Sequence, residues 1–320
     1  MPDFAFASCL PGVELAVKLE VARDRPELKF AYSRPGLLTF KSSRELGPDD
    51  PPGSVFARVW GRSMGAASDP AAAAAQLSST SVAKIHAFAR DPELAVDLAP
   101  WQALGAGGPA EIGELIGDVI VAPDEQAWLG VHQHDATRIP YAGGAIPVAM
   151  PNDSPSRAYC KIEEAIAWAQ LPVAADQVVV EIGSAPGGAA LALARRGVSV
   201  VCVDTAELAP QVIAHPKVTH IAKKVGAVRW EELPTHVDWL LLDVNLAPQV
   251  ALHEVARLMP RLRDTLQGAV FTLKLNDWAF VSELPRLVDR IREMGLPDVR
   301  LRHLPSNRRE VCAVARPVSR

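Results

Sequence analysis

The chain has 320 residues, 49% of them hydrophobic and 22% charged, with a formal net charge of −4. These are the proportions of a soluble globular protein with room for two ordinary domains. No apolar run approaches the ~20 residues that span a bilayer. The early acids of MPDFAFASCLPGVE exclude the basic start of a secretory signal. The four cysteines, Cys9, Cys160, Cys202 and Cys312, are scattered without a C-x-x-C pair, which argues against zinc and against a disulfide framework. A reduced, cytoplasmic setting with no metal, no membrane contact and, by default, a monomer is expected. Residues 1–150 carry 12 basic and 18 acidic side chains, whereas 151–320 carry 21 and 19. A nucleic-acid partner therefore needs local basic patches rather than a general field.

In chain order, LKFAYSRPGLLTFKSS (28–43) predicts two short strands around an Arg-Pro-Gly turn, and SVFARVWGRSMG (54–65) another strand. From Asp69 to about Leu104 the chain is Ala-rich with helical spacing, broken near Asp91-Pro92. GDVIVAPDEQAWLGVHQ (117–133) predicts a hairpin turning at Pro-Asp-Glu. Residues 1–150 thus read as a small α+β domain without a catalytic constellation. The Pro- and Gly-rich stretch 137–156 marks the boundary. After it, KIEEAIAWAQL (161–171) predicts an amphipathic helix. Buried strands follow at 177–183, 198–204, 218–225, 237–244 and 268–275, with helices between them. VRLRHLP and EVCAVAR close the chain as a strand pair. Apolar strands alternating with helices predict a parallel, doubly wound α/β sheet over 151–320.

The first strand of that sheet runs into Glu181, Gly183, Ser184, Ala185, Pro186, Gly187 and Gly188. In such folds the turn after the first strand lies where ligands bind. The dinucleotide fingerprint needs a second glycine where Ala185 stands, followed here by a proline, so a pyrophosphate ligand is disfavoured. Acids at Glu181 and at Asp204, which ends the second strand, suit S-adenosylmethionine better, because it offers an ammonium group and a ribose diol. The same turn also serves as a plain strand–helix connection.

Asp243 follows Leu-Leu-Leu and Lys274 follows Phe-Thr-Leu, and charges directly after buried strands are rarely left unpaired. Lys161, expected to open its helix, and Glu310, expected to begin the last strand, would complete a group of four around one pocket.

SPSRAYCKIEEA (154–165), EIGSAPGG (181–188), LLDV (241–244), FTLKL (271–275) and SNRREVCAVA (306–315) together resemble the FtsJ-like ribose 2′-O-methyltransferases with a Lys-Asp-Lys-Glu tetrad. The resemblance implies a Rossmann-like S-adenosylmethionine-dependent methyltransferase domain at 151–320. It implies the tetrad Lys161, Asp243, Lys274 and Glu310, and a cofactor site at 181–188 with Asp204 and Asp243. CLPGVE (9–14), GSVFARVWGR (53–62) and 127–157 resemble the RlmM-like branch, which methylates a cytidine ribose of 23S rRNA. That branch implies an RNA partner and an RNA-binding THUMP-like module, here shortened, in 1–150. Arg157, Arg308 and Arg309 flank the tetrad as candidate phosphate contacts. Trp278 and Phe280 are candidates for stacking on a base or for core packing. The chain departs from the family at Ala189, where an aromatic is common, at Lys223, Lys224 and Val225, where an acid is expected, and at Ala158, where a small polar residue is expected.

The expected chemistry is in-line attack of a ribose 2′-hydroxyl on a sulfonium methyl. Lys274 is the expected base and acts only when neutral, so its pKa must fall from ~10.4 toward neutrality; nearby carboxylates push the other way, and the sequence leaves that balance open. Lys161 supplies like charge, Asp243 positions Lys274, and Glu310 holds Lys161 or the ribose. The competing readings are a methyltransferase for a non-RNA substrate, a non-catalytic RNA-binding protein on the same fold, and an NAD-dependent oxidoreductase, which the Pro-Gly-Gly turn disfavours.

Overall fold

The computed structural model describes residues 3–50, 53–123 and 126–318. Asp124 and Glu125, in the expected turn of the 117–133 hairpin, lie outside the described residues. The chain divides into two compact units, Met1–Ile146 and Pro147–Arg320.

The first unit contains β1 (Asp3–Ser8), α1 (Glu14–Asp24), β2 (Lys29–Arg34), β3 (Leu37–Ser42), β4 (Val59–Ala67), α2 (Pro70–Leu77), β5 (Lys84–Ala89), α3 (Ala99–Gln102), β6 (Leu115–Val121) and β7 (Ala127–Gln133). Its strands form one sheet in the order β2-β3-β1-β4-β7-β6-β5. All neighbours are antiparallel except β5 and β6. The Ala-rich stretch is not helical up to the expected break near Asp91-Pro92, because a strand, Lys84–Ala89, precedes that break. Its helix α2 is capped by Asp69, whose Oδ1 accepts the Ala72 N–H at 2.9 Å. It ends at Ser78-Ser79-Thr80, whose hydroxyls donate back to the carbonyls of Ala75, Gln76 and Leu77 at 2.7–2.8 Å. Such local bonds compete with helix continuation. The next segment, KIHAFA, is then free to pair as a strand. Side chains of α2 and α3 pack on one sheet face against Ala67, Ile85, Val119 and Leu129. On the other face Phe6, Leu37, Val59, Phe88 and Ile120 cluster. Room for Phe6 comes from Gly130, where a Cβ would lie 2.1 Å from its ring.

The second unit contains α4 (Ala158–Ala169), β8 (Val178–Ile182), α5 (Gly188–Arg195), β9 (Ser199–Val203), α6 (Pro210–Ile213), β10 (Val218–Ile221), β11 (Trp239–Leu242), α7 (Pro248–Leu262), β12 (Gly268–Lys274), α8 (Leu284–Glu293), β13 (Asp298–Arg302) and β14 (Glu310–Arg316). The sheet order is β10-β9-β8-β11-β12-β14-β13. The first five strands are parallel, and β14 lies antiparallel between β12 and β13. This is a doubly wound, Rossmann-like α/β sheet with an antiparallel pair at one edge. The β-branched and leucine runs of β8, β9 and β11 form strands because helices cover both faces and leave no polar side to alternate. From β8 the chain winds outward through β9 and β10, then returns to β11 and β12 on the other side. The switch between β8 and β11 opens a crevice at their carboxyl ends.

Two expected boundaries move. Helix α4 begins at Ala158, so Lys161 sits in its first turn rather than opening it. Strand β10 stops at Ile221, leaving Lys223 and Lys224 in the loop beyond. Phe271, fully buried in β12, tests the core that carries this crevice. Phe271→Ala is expected to lower stability by about 3–5 kcal/mol in urea unfolding; a loss under about 1 kcal/mol would contradict the packing.

Candidate active site

The four candidate catalytic residues converge at the carboxyl edge of the second sheet. Lys274 and Glu310 are directly paired across the β12–β14 ladder. Asp243 follows β11, where its backbone N–H donates to the Ile182 carbonyl of the neighbouring β8 at 2.9 Å. Lys161 reaches in from α4. Lys274 Nζ donates to Asp243 Oδ1 at 2.5 Å and to Glu310 Oε2 at 2.8 Å. Lys161 Nζ donates to Asp243 Oδ2 at 3.0 Å and pairs with Glu310 Oε1. Each ammonium thus bridges both carboxylates in a closed ring of two positive and two negative charges. Side-chain exposures of 9–19% show that the ring is largely withdrawn from water but reachable from it.

The ring decides the charge balance that sequence left open. Burial pushes the Lys274 ammonium down, but Asp243 and then Glu310 more than offset it, and its pKa lies above the ordinary lysine value. This corrects the expectation of a lysine titrating toward neutrality: with two carboxylates in contact, Lys274 rests as an ammonium. Burial pushes Glu310 up, yet Lys161 and Lys274 hold its carboxyl below the ordinary glutamate value.

Beside the ring stands the glycine turn. Gly183 has φ +82°, and a Cβ there would lie 2.5 Å from the Asp243 carbonyl oxygen. Only glycine lets this turn press against the tetrad aspartate. Gly187 has φ +104° and faces Val212. At Gly188 a Cβ would lie 2.7 Å from the Ser156 carbonyl and 3.0 Å from the Tyr159 nitrogen, so this glycine admits the start of α4. Pro186 follows a cis peptide bond from Ala185. Ser184 is buried. Asp204 accepts the Ala185 N–H at 3.0 Å and the Ala206 N–H at 2.9 Å, tying the turn to the end of β9.

Glu181 is 1% exposed, and its Oε2 has no hydrogen-bond partner. Burial, followed by the charges of Asp243 and Asp204, raises its pKa well above the ordinary carboxyl range. The unpaired Oε2 beside Asp243 and Asp204 makes a lining that suits a cationic or hydrogen-bond-donating ligand group. The donor set fits a ligand carrying an ammonium or sulfonium and a diol, and does not fit a pyrophosphate. Among the described residues no cluster of His, Cys, Asp or Glu forms a metal site.

Ala158 and Ala189, two departures noted in the sequence, line one cavity of about 30 Å³ together with Glu181, Asp243, Thr272 and Asn307. Lys223 forms an ion pair with Glu232 at 2.5 Å. Arg157, Arg308 and Arg309 are exposed. Arg157 donates to the Ser306 carbonyl at 3.3 Å, which links the first of these arginines to the loop carrying the other two. Trp278 packs edge-on against His303, with centroids 6.4 Å apart, while Phe280 is 40% exposed. Sequence reasoning gave no role to Glu164, although it closes the Lys-Ile-Glu-Glu segment. Its carboxylate accepts the Ser306 N–H at 2.9 Å and hydroxyl at 2.7 Å, anchoring the arginine loop on α4. Asn307 was also missed; it is buried, and its side chain accepts the Leu304 N–H at 2.8 Å.

The Glu181 charge state can be tested by unfolding. A carboxyl whose folded pKa exceeds its unfolded value binds its proton more tightly when folded, so stability falls as pH rises above about 4.3. Glu181→Gln is expected to remove that penalty, with a larger stability gain at pH 8 than at pH 4 in urea titrations. Equal effects at the two pH values would refute it.

No family model matches the chain. Ribosomal RNA large subunit methyltransferase M of Halorhodospira halophila is 33% identical over 161 residues, 48% of this chain and 45% of that protein. The proteins of the same name from Alkalilimnicola ehrlichii and Azoarcus are 32% and 30% identical, over 55% and 58% of this chain and 49% and 52% of theirs. The chain spans about half the length of the curated relatives it matches. Among solved structures, a ribosomal RNA methyltransferase from Plasmodium falciparum superposes with a TM-score of 0.39 at 14% identity, covering 51% of this chain and 97% of that one. Methanococcus jannaschii fibrillarin pre-rRNA processing protein superposes with a TM-score of 0.38 at 12% identity, covering 64% and 84%. Over about half of its length, then, this chain is similar in sequence to the ribosomal RNA large subunit methyltransferases M, at about 30% identity.

Proposed function

We propose that this chain is an S-adenosylmethionine-dependent ribose 2′-O-methyltransferase of RNA, acting in the cytoplasm on a cytidine of 23S rRNA. The observation that carries the reading is the closed Lys161–Asp243–Lys274–Glu310 ring beside an acid-lined glycine turn. The named relatives support the RNA substrate. Residues 151–320 are the catalytic domain, and 1–150 a THUMP-like RNA-binding domain.

S-adenosylmethionine, when bound, supplies an electrophilic methyl carbon on a sulfonium. Gly183 to Gly188 would form the turn that holds it, Asp204 would take up the ribose diol, Asp243 would supply negative charge, and Glu181 would meet it as a buried acid of raised pKa. Lys161 steers the 2′-hydroxyl, and Glu310 keeps both lysines in place. Lys274 takes the hydroxyl proton, and for this it must first lose its own. That proton would pass to solvent, leaving the neutral amine free to accept the hydroxyl proton. Arg157, Arg308 and Arg309 contact phosphates, which position the strand without reading its sequence.

Lys274→Ala is expected to reduce methyl transfer by at least the ~10²–10⁴-fold typical of a lost general base, with cofactor binding retained in a thermal-shift titration. The kcat/KM of the parent is expected to rise from pH 7 and to keep rising past pH 9 without levelling off, because the free protein holds Lys274 above the ordinary lysine value. A flat profile, or normal product from the alanine variant, would sink the assignment of the base. The substrate is tested by mapping rRNA 2′-O-methylation in cells with and without the protein, where one lost cytidine mark is expected; an unchanged map would remove the rRNA target.

A further inference from the structure

Helix α4 carries three charged side chains along one face. Arg157 at its start, Lys161 and Glu164 are spaced by four and then three residues, which stacks side chains on one side of a helix. Lys161 belongs to the tetrad ring. The other two meet a single residue, Ser306. The Glu164 carboxylate accepts its N–H at 2.9 Å and its hydroxyl at 2.7 Å, and Arg157 Nη1 donates to its carbonyl at 3.3 Å. Glu164 is only 3% exposed. Burial raises its pKa above the ordinary glutamate value, while the Ser306 bonds and then Lys161 oppose that rise. A buried carboxylate is costly without hydrogen bonds. Ser306 supplies two, so the acid and the loop hold each other.

Ser306 lies in the loop that carries the exposed Arg308 and Arg309. Asn307 closes a turn within it: its Oδ1 accepts the Leu304 N–H at 2.8 Å, and its own N–H donates to the Leu304 carbonyl at 2.9 Å. The end of the loop nearer β14 is tied separately. The His303 ring nitrogen Nε2 lies 2.9 Å from the Arg308 carbonyl, and the Leu275 N–H donates to the Arg309 carbonyl at 2.7 Å. Glu310 follows at once, and its place opposite Lys274 is set by the β12–β14 ladder. The tetrad glutamate is therefore held without Glu164, whereas the turn at Ser306 is fastened to α4 through it. An arginine on an unfastened loop loses loop and side-chain entropy when it meets a phosphate; a loop ordered beforehand has little left to lose.

We propose that Glu164 is a positioning residue for the RNA substrate: by holding Ser306 on α4 it sets Arg157, Arg308 and Arg309 as one phosphate-binding group beside the tetrad. The proposal rests on the RNA-substrate reading above. Phosphate contacts are made in the bound substrate and in the transition state alike, so the loss of Glu164 falls on KM for RNA rather than on kcat. Glu164 acts through the three arginines, so its effect vanishes when they are absent.

The test uses the full chain, a fluorescein-labelled ten-nucleotide oligoribonucleotide of mixed sequence read by anisotropy, and an unmodified 23S rRNA transcript for methyl transfer. Glu164→Ala is expected to weaken RNA binding and raise KM for RNA by about 10-fold, the factor one hydrogen bond to a charged group is worth. It is also expected to flatten the slope of log affinity against log salt by about one to two units. The thermal shift given by S-adenosylmethionine stays that of the parent. Glu164→Gln is expected to bind RNA as the parent does, because its carbonyl accepts the Ser306 N–H and its amide donates to the Ser306 hydroxyl. In a chain carrying Arg157→Gln, Arg308→Gln and Arg309→Gln, adding Glu164→Ala is expected to cost no further affinity. Circular dichroism checks each variant; if Glu164→Ala is unfolded, Ser306→Ala, which removes the hydroxyl bond alone, takes its place with a smaller loss expected. Parent-like RNA affinity in the folded variant, an equal loss in kcat or in cofactor binding, or a further loss in the arginine-free chain overturns the proposal. Parent-like affinity in the arginine-free chain overturns it too, and leaves the RNA reading standing. A parent that binds no RNA overturns both. If the parent binds RNA but methylates none, the catalytic reading falls and the affinity comparisons still decide the role of Glu164.

Discussion

Two lysines and two carboxylates in mutual contact constrain the second unit more than any other interaction. Any one of these charges buried alone would carry a large desolvation cost; as a closed ring they offset one another and supply the hydrogen bonds each needs. The ring closes only if α4, β11, β12 and β14 are brought together. Lys274 and Glu310 are set by ladder register. Asp243 is set by the β8–β11 contact. Lys161 is set by the approach of α4 to the glycine turn, which Gly188 allows and a side chain would block. Packing and catalytic geometry are here one requirement.

The same turn separates two electrostatic environments. In the ring, positive and negative charges balance. Just beyond it, Glu181 and Asp204 face no lysine or arginine of the ring, and burial followed by the charges of Asp243 and Asp204 raises the pKa of Glu181 well above the ordinary carboxyl range. A site in that state binds a cation at the expense of a proton. This preference separates the crevice from a dinucleotide site more clearly than the missing second glycine, since a pyrophosphate would meet three acids. It also bears on the resting charge of Lys274: Asp243 belongs to both environments, so filling one alters the other.

Much of this arrangement was legible before the structure. The strands of 151–320 are apolar on both faces and bounded by turns, which is the pattern of a sheet covered on both sides. The four tetrad residues stand at element ends because buried charges have few other places to be. The Ala-rich stretch after Asp69 was less legible. Alanine permits a helix without demanding its length, and three hydroxyl residues ended it. The roles of Glu164 and Asn307 were hidden for another reason: their partners lie in a loop whose position no local pattern encodes.

The sequence by itself determined which charged residues follow buried strands and roughly where those strands lie along the chain, because hydrophobic period and charge placement are local properties. Tertiary structure decided how those residues act on one another. Whether Lys274 rests charged or neutral depends on the distances to Asp243 and Glu310 and on burial, and Coulomb interactions and desolvation follow distance in space rather than separation in sequence. The departures at Ala158 and Ala189 show the same division. In the sequence they are unrelated substitutions 31 positions apart; in the fold they line one hollow together with Lys161 and Asp243, because α4 and α5 pack against each other.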